Sequence, residues 1–372
     1  MTVLTPHAPE VRDRWEEEGV EAISFRYAPE GSEVLGYGRS LSKDESVRWR
    51  AGAVTPLYSL AARQALRSLV EKREFDLVHG HWLVPNGLIV SAAGLGLPTA
   101  VGLHGSDVFL AERAGVRSLV RWAMKRTRLL TGCSPELVDR VCALGFARER
   151  SRVIPYGVDT EQFSPAAERG LIWREKLSIP SQAIVGLGVG RMVTKKGFHV
   201  LLEVLPQILE RIPEAHIILG GDGDRLEEFQ KEMSPWLGRV HFPGIIYRDT
   251  LPDLYRSADF FVLPAVHDSQ GNVDGLPNVI LEGMASGLPI VASGISGIPL
   301  AVSHEREGIL VAEENRPELL AALDRIYSDE QLRQRMGAAS RAKATSELTW
   351  EAVASRYRQA YSEALAGFAV TE

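Results

Sequence analysis

The side chains best suited to chemistry fall in two short segments. From Asp274 to Glu282 the chain reads D-G-L-P-N-V-I-L-E, so one carboxylate precedes a Gly-Leu-Pro turn and another follows eight positions later. The apolar pattern runs on through Met284 and Ala285 to Gly287, which predicts a helix of about three turns over 278–286. A turn feeding a helix N-terminus binds anions, because unpaired N–H groups and the helix dipole both point at the ligand. Flanking carboxylates cannot hold the phosphate itself. They suit hydroxyl-rich groups on either side of one, which is what a nucleotide-sugar offers, although a lone loop of this kind also fits an ordinary capped helix. In the second segment Gly188-Val189-Gly190-Arg191 ends an apolar strand and Lys195-Lys196-Gly197 precedes a helix. Arg191 and Lys196 then leave one strand-to-helix loop and can clamp a diphosphate, Arg as a bidentate fork and Lys as a point charge. Both would stabilise negative charge building on a departing phosphate.

Other loops carry weaker signals. Leu103-His104-Gly105-Ser106-Asp107 follows a strand, so His104 can donate to a sugar or phosphate while Asp107 orients it or caps the next helix. His79 and His81 stand two apart before Trp82, a spacing that can bind metal on a strand, but no Cys or carboxylate completes a set. Lining for the acceptor is the preferred reading. Gly220-Gly221-Asp222-Gly223-Asp224 lacks the spacing of a dinucleotide fingerprint and reads as a turn that allows close approach. Arg117, Arg121, Lys125, Arg126 and Arg128 interleave with Leu119, Val120, Trp122 and Met124. That pattern fits a solvated helix face better than a membrane-surface helix, which stays open. Nucleophile-elbow and P-loop signatures do not occur, so hydrolase and NTPase readings lack support.

The elements that must position these residues alternate as short apolar strands and amphipathic helices, the pattern of an α/β fold with parallel sheets. Strands are expected at 23–27, 77–79, 99–103, 129–132 and 153–154 in the first half. In the second they are expected at 184–189, 216–220, 240–242, 260–263, 290–292 and 308–311. Residues 1–160 would form one doubly wound domain and 171–349 another, with the Pro- and Gly-rich segment 156–170 as linker. Helices are expected between the strands, including 58–72 and 116–125, and a last helix over 350–366 would pack back on the first domain. At 372 residues the chain can core two such domains. Its net charge of −6 makes nucleic acid an unsuitable partner. Residues 1–150 carry 20 basic against 18 acidic side chains, the rest 22 against 30. Cys133 and Cys142 are the only cysteines and suggest ordinary buried thiols. A signal peptide is not recognisable at M-T-V-L-T-P-H, and a cytoplasmic location is the expectation.

At these loops the sequence resembles the retaining nucleotide-sugar glycosyltransferases of the fourth sequence family, which have the two-domain GT-B fold. The resemblance rests on L-H-G-S-D (103–107), V-I-P-Y-G-V-D (153–159), G-R-M-V-T-K-K-G (190–197), A-D-F-F-V-L-P (258–264) and the stretch 274–293. It implies that Arg191 and Lys196 hold the donor diphosphate and that Glu282 binds the ribose hydroxyls. Amides around Gly275, Leu276, Pro277, Asn278 and Val279 would face the phosphates, Asp274 the transferred sugar, and His104 that sugar from the opposite domain. It further implies a UDP- or GDP-sugar donor, a glycan or lipid-linked acceptor in envelope or exopolysaccharide assembly, retention by front-face attack, and neither metal nor cofactor. A weak contact with the inner face of the membrane is a further expectation.

Two departures qualify the resemblance. The family's Glu-x7-Glu pair begins here with Asp274, one methylene shorter. Family members also begin with a strand, a Gly-rich loop and a helix ahead of the V-L-T-P segment, so the N-terminal domain is expected to be incomplete, through truncation or a wrong start. An inactive nucleotide-sugar-binding relative is therefore the alternative reading. A nicotinamide dehydrogenase fits the fold class and lacks its fingerprint.

Overall fold

The computed structural model describes residues 1–8, 11–29, 32, 33, 35 and 45–369. It opens with strands β1 (Thr2–Pro6), β2 (Arg14–Glu17) and β3 (Val20–Phe25). These form a small sheet in the order β1-β3-β2, with β1 parallel and β2 antiparallel to the central strand. The long helix α1 (Glu45–Lys72) then leads to β4 (Val78–His81), α2 (Leu88–Ala93), β5 (Thr99–Leu103), α3 (Ser106–Ala111) and α4 (Ala114–Met124). The first half closes with β6 (Leu129–Gly132), α5 (Pro135–Ala143) and β7 (Ser151–Val153). Strands β4 to β7 make a second, wholly parallel sheet in sequential order. Residues of β5 and β6 are buried throughout, as parallel strands covered on both faces must be, while β1 and β4 are mostly half-buried.

The second half comprises α6 (Ala167–Lys176), β8 (Ile184–Val189), α7 (Phe198–Arg211), β9 (Ala215–Gly220), α8 (Leu226–Glu232), β10 (Val240–Gly244), α9 (Leu251–Arg256) and β11 (Phe260–Leu263). It continues with α10 (Asn278–Ala285), β12 (Ile290–Ser293), α11 (Ile298–Ala301), β13 (Gly308–Val311), α12 (Arg316–Ser328), α13 (Glu330–Glu347) and α14 (Trp350–Ala369). The six strands form one parallel sheet in the order β10-β9-β8-β11-β12-β13. Strand order turns between β8 and β11, so the loops leaving these two strands diverge and open a crevice at their carboxyl ends. The Lys196 loop follows β8 and the Asp274 loop follows β11. Helix α14 returns to the first half, where Val353, Ala360 and Ala364 pack on Ala100, Leu129 and Ile154.

Several expectations need correction. β1 and β2 were not expected; both are short and mix polar with apolar residues, so neither gives a clean alternating signal. The strand expected at 23–27 lies at Val20–Phe25, and the helix expected at 58–72 begins at Glu45 and carries Pro56 inside it. The helix after the Asp274 turn has eight residues rather than three turns, because Gly287 takes a left-handed φ of 79° and ends it. Helix α6 begins inside the expected linker. Most other boundaries agree within a few residues.

Glycine lets the two site loops meet. Gly197 has φ +71°, and a Cβ there would stand 1.6 Å from the Pro264 carbonyl oxygen. Gly221 has φ +136°, and a Cβ there would stand 2.0 Å from the Gly190 carbonyl oxygen. The glycine loop after β9 is thus the close-approach turn that the sequence suggests. Gly197→Ala should lose more than about 2 kcal/mol in denaturant unfolding, since neither the backbone angle nor the space admits a methyl group. Wild-type stability in that variant would refute the packing of the Lys196 loop on β11.

Candidate active site

At the crevice, Lys195 Nζ lies 2.5 Å from Asp274 Oδ1 and Lys196 Nζ lies 2.6 Å from Oδ2. Burial alone would raise the Asp274 pKa, but the Lys196 and Lys195 ammonium groups hold it well below the usual carboxylate range. Glu282, eight residues on, sits on helix α10, where Tyr255 Oη donates to its Oε2 at 2.7 Å. Burial pushes the Glu282 pKa upward, against the Tyr255 bond and the charges of Arg248 and Lys196. Lys196 therefore acts electrostatically on both carboxylates. Its stem runs over Gly190, where a Cβ would stand 3.3 Å from Lys196 Cε. Arg191 is exposed at the head of the same loop.

The turn between the carboxylates packs against the first domain. A Cβ on Gly275 would stand 2.4 Å from Cys133 Sγ, and the Leu276 N–H and the Tyr156 hydroxyl both bond that sulfur. The Leu276 amide thus meets the thiol across the seam. Helix α10 has neither a side-chain cap nor an acidic residue in its first turn, from Asn278 and Val279 onward. Its positive end is left for another partner. The Gly275 carbonyl accepts from Gly297 N at 2.7 Å and from Ser296 Oγ at 3.0 Å, which fixes the turn from behind.

His104 sits on the first-domain loop that meets this turn, for a Cβ on neighbouring Gly105 would stand 3.4 Å from the Val273 carbonyl oxygen. Its Nδ1 lies 2.8 Å from Tyr156 Oη and its Nε2 lies 3.1 Å from His81 Nδ1. Asp107 does not orient the imidazole. Its carboxylate accepts from the backbone N–H groups of His104, Gly105 and Leu83, tying the loops after β5 and β4 together. Burial, opposed by those backbone bonds, raises its pKa. Among the described residues, no group of three His, Cys, Asp or Glu side chains is arranged to hold a metal ion.

Lys195, Cys133, Tyr156 and Tyr255 were not expected as site residues. Lys195 and Tyr156 lie inside quoted motifs and were legible there. Tyr255 comes from helix α9, and no local pattern links it to Glu282. A third group spans the lobes: His267, after β11, places Nδ1 2.9 Å from Glu313 and Nε2 3.2 Å from Glu136 of α5. Glu136 also pairs with Arg140, which pairs with Glu112.

Two Rossmann-like domains with a crevice between them define the GT-B fold, and known proteins place the chain within it. Residues 5–162 match the family model described as Glycosyltransferase Family 4, and residues 184–329 match the one described as Glycosyl transferases group 1. The GDP-mannose-dependent monoacylated alpha-(1-6)-phosphatidylinositol monomannoside mannosyltransferase of Corynebacterium glutamicum is 26% identical over 338 residues, 90% of this chain and 88% of its own. The UDP-Gal:alpha-D-GlcNAc-diphosphoundecaprenol alpha-1,3-galactosyltransferase of Escherichia coli is 28% identical over 284 residues, 72% and 70% of the two chains. The solved sucrose-phosphate synthase of Thermosynechococcus elongatus superposes with a TM-score of 0.76 at 22% identity, covering 98% of this chain and 89% of that one. The chain belongs to the group 1, family 4 glycosyltransferases and is a glycosyltransferase.

The His267 bridge makes stability depend on pH. Burial would lower its pKa, but the bonds to Glu313 and Glu136 outweigh that and the net shift is upward. Its contribution is therefore complete below the ordinary His value of about 6.5 and is lost as pH rises through the raised folded value. Denaturation of wild type and His267→Gln from acid to alkaline pH should show a stability gap that is largest at the acid end. A gap that widens with pH would contradict the bridge.

Proposed function

We propose that the enzyme moves a sugar from a UDP- or GDP-sugar to a glycan or lipid-linked acceptor in cell-envelope or exopolysaccharide assembly, with retention at the anomeric carbon. The observation that carries this reading is the pair of lysine ammonium groups converging on Asp274 beside an uncapped helix N-terminus. Donor diphosphate would take Lys196, Lys195 and Arg191, while Gly275, Pro277, Asn278 and Val279 line the phosphates. As the diphosphate draws the lysines, Asp274 is released to accept hydroxyl hydrogen bonds from the sugar. Glu282, held by Tyr255, would accept from the ribose hydroxyls. His104 approaches the sugar from the other lobe.

With no protein nucleophile assigned, the leaving phosphate would take the acceptor's proton as the new bond forms on the same face, and the cations would stabilise the charge that grows on it. No metal is required by this scheme. Support for the donor class comes from the relatives, one named for GDP-mannose and one for UDP-Gal. Both are also named for acceptors linked to lipid, which supports a lipid-linked acceptor. Lys196→Ala should slow transfer roughly hundredfold, the scale seen on removing one group that stabilises transition-state charge, and Glu282→Ala should lower kcat/KM for the donor by losing the ribose contact. Donor-screen kinetics that leave both variants at wild-type turnover would refute the assignment.

Membrane contact has its own surface. From Arg113 through Pro135 the chain carries six basic residues and no acidic one. On α4, Leu119 and Trp122 are 56% and 39% exposed, and the Arg126 guanidinium lies 4.1 Å from the Trp122 ring centroid. Cations around exposed apolar side chains suit an anionic lipid surface. None of the described helices is long and apolar enough to cross a membrane. Co-sedimentation with vesicles containing phosphatidylglycerol should decline with salt and be weakened by Arg117→Glu combined with Trp122→Ser. Binding that ignores both salt and these substitutions would overturn the assignment of this face.

A further inference from the structure

Strand β4 ends at His81, whose imidazole lies against His104 beside the crevice. His79 and His81 leave the same face of the strand and stack at 4.3 Å between centroids, 18° from parallel. His79 is anchored from behind by Tyr361 of α14, whose hydroxyl lies 2.6 Å from its Nδ1. Gly102 of β5 forms the floor of this cluster. A Cβ there would stand 3.0 Å from His79 Nε2, 3.3 Å from His81 Nδ1 and 3.4 Å from His104 Nε2. Three imidazoles are thus packed on bare backbone, and a side chain at residue 102 would displace them.

The rings are neutral near physiological pH. Burial and then the neighbouring His104 push His81 down to about 4, and burial followed by His81 and His104 pushes His79 to about 3. A neutral imidazole has one donor nitrogen and one acceptor nitrogen, so the two bonds of His104 are coupled. When Tyr156 donates to Nδ1, Nε2 carries the hydrogen and donates to His81 Nδ1, which leaves His81 Nε2 as an N–H donor. In the opposite setting Tyr156 turns its hydrogen to Cys133, His104 Nδ1–H donates to the tyrosine oxygen, and His81 Nδ1–H donates to His104. Both settings hold the same protons on the same three residues.

We propose that His81 is a positioning residue for sugar transfer, which fixes the orientation and tautomer of His104 through the contact between His81 Nδ1 and His104 Nε2. The inference rests on the glycosyltransferase reading of the His104 site. It assigns the second histidine of the β4 strand to the reacting side of the crevice rather than to general acceptor lining.

Substitution separates this role from packing. Asn places its amide where the Nδ1 of His stands, so His81→Asn should keep the bond to His104, while His81→Phe keeps the ring and loses the bond. Nitrogen-15 imidazole spectra of the labelled full chain should show the same His104 tautomer in wild type and His81→Asn and a different or mixed one in His81→Phe. Transfer kinetics with the best UDP- or GDP-sugar should show kcat about tenfold lower in His81→Phe, as expected for one lost hydrogen bond, with KM for donor unchanged and near-wild-type rates in His81→Asn. An unaltered His104 tautomer in His81→Phe, or a loss shared equally by a folded His81→Asn, would overturn the inference. If wild type transfers no sugar from any donor, the functional reading fails, and the spectra still decide whether His81 governs His104.

Discussion

Two lysine ammonium groups sharing one half-buried carboxylate are the constraint around which the crevice is built. Neither Lys195 nor Lys196 nor Asp274 could be left unpaired there cheaply, because partly buried charges are tolerated when compensated. The pairing in turn needs the loops after β8 and β11 to lie against each other. Gly197 allows that by letting backbone meet backbone at Pro264, and the turn in strand order between β8 and β11 places both loops at one edge of the sheet. Asp274 is a shorter acid than the family's glutamate, and its short stem suits contact with both lysines of the neighbouring loop.

The seam between the lobes is built from small groups. Cys133 meets the bare Cα of Gly275, bonds the Leu276 amide and lies against the Tyr156 hydroxyl, so a residue that looks like a plain buried thiol sits where the lobes touch. Burial pushes its pKa up to about 11, which keeps it a neutral thiol and a weak hydrogen-bond partner. The same Tyr156 hydroxyl reaches His104, so the seam and the histidine cluster form one connected set of hydrogen bonds. At the far side of the α10 turn, His267 joins α5 to the loop after β11 through charged partners. The loop carrying Asp274 is therefore held by both lobes.

Much of the fold was legible because buried parallel strands announce themselves as apolar runs. The segments 99–103, 129–132, 184–189, 260–263 and 308–311 agree with the structure in both ends, each bounded by Gly, Pro or charged residues. Legibility failed where burial is partial. β1 and β2 belong to the small first sheet, whose residues are mostly half-exposed and need not be uniformly apolar. The length of α10 was overestimated because apolar residues continue past Gly287 into β12, and periodicity cannot tell a helix end from the start of a buried strand.

By itself the sequence determined which chemical groups exist and which loops carry them. Lys195, Lys196, Asp274, Glu282 and His104 each sit within a few residues of a strand or helix end, and that local spacing is a property of the chain alone. Tertiary structure decided what each group touches. Tyr255 meets Glu282 from 27 residues away, Tyr156 meets His104 from 52, and Glu136 meets His267 from 131. Such pairings follow from strand order and lobe contact, which local patterns do not encode, because a side chain's bonding and acidity depend on whatever the fold brings within a few ångströms of it.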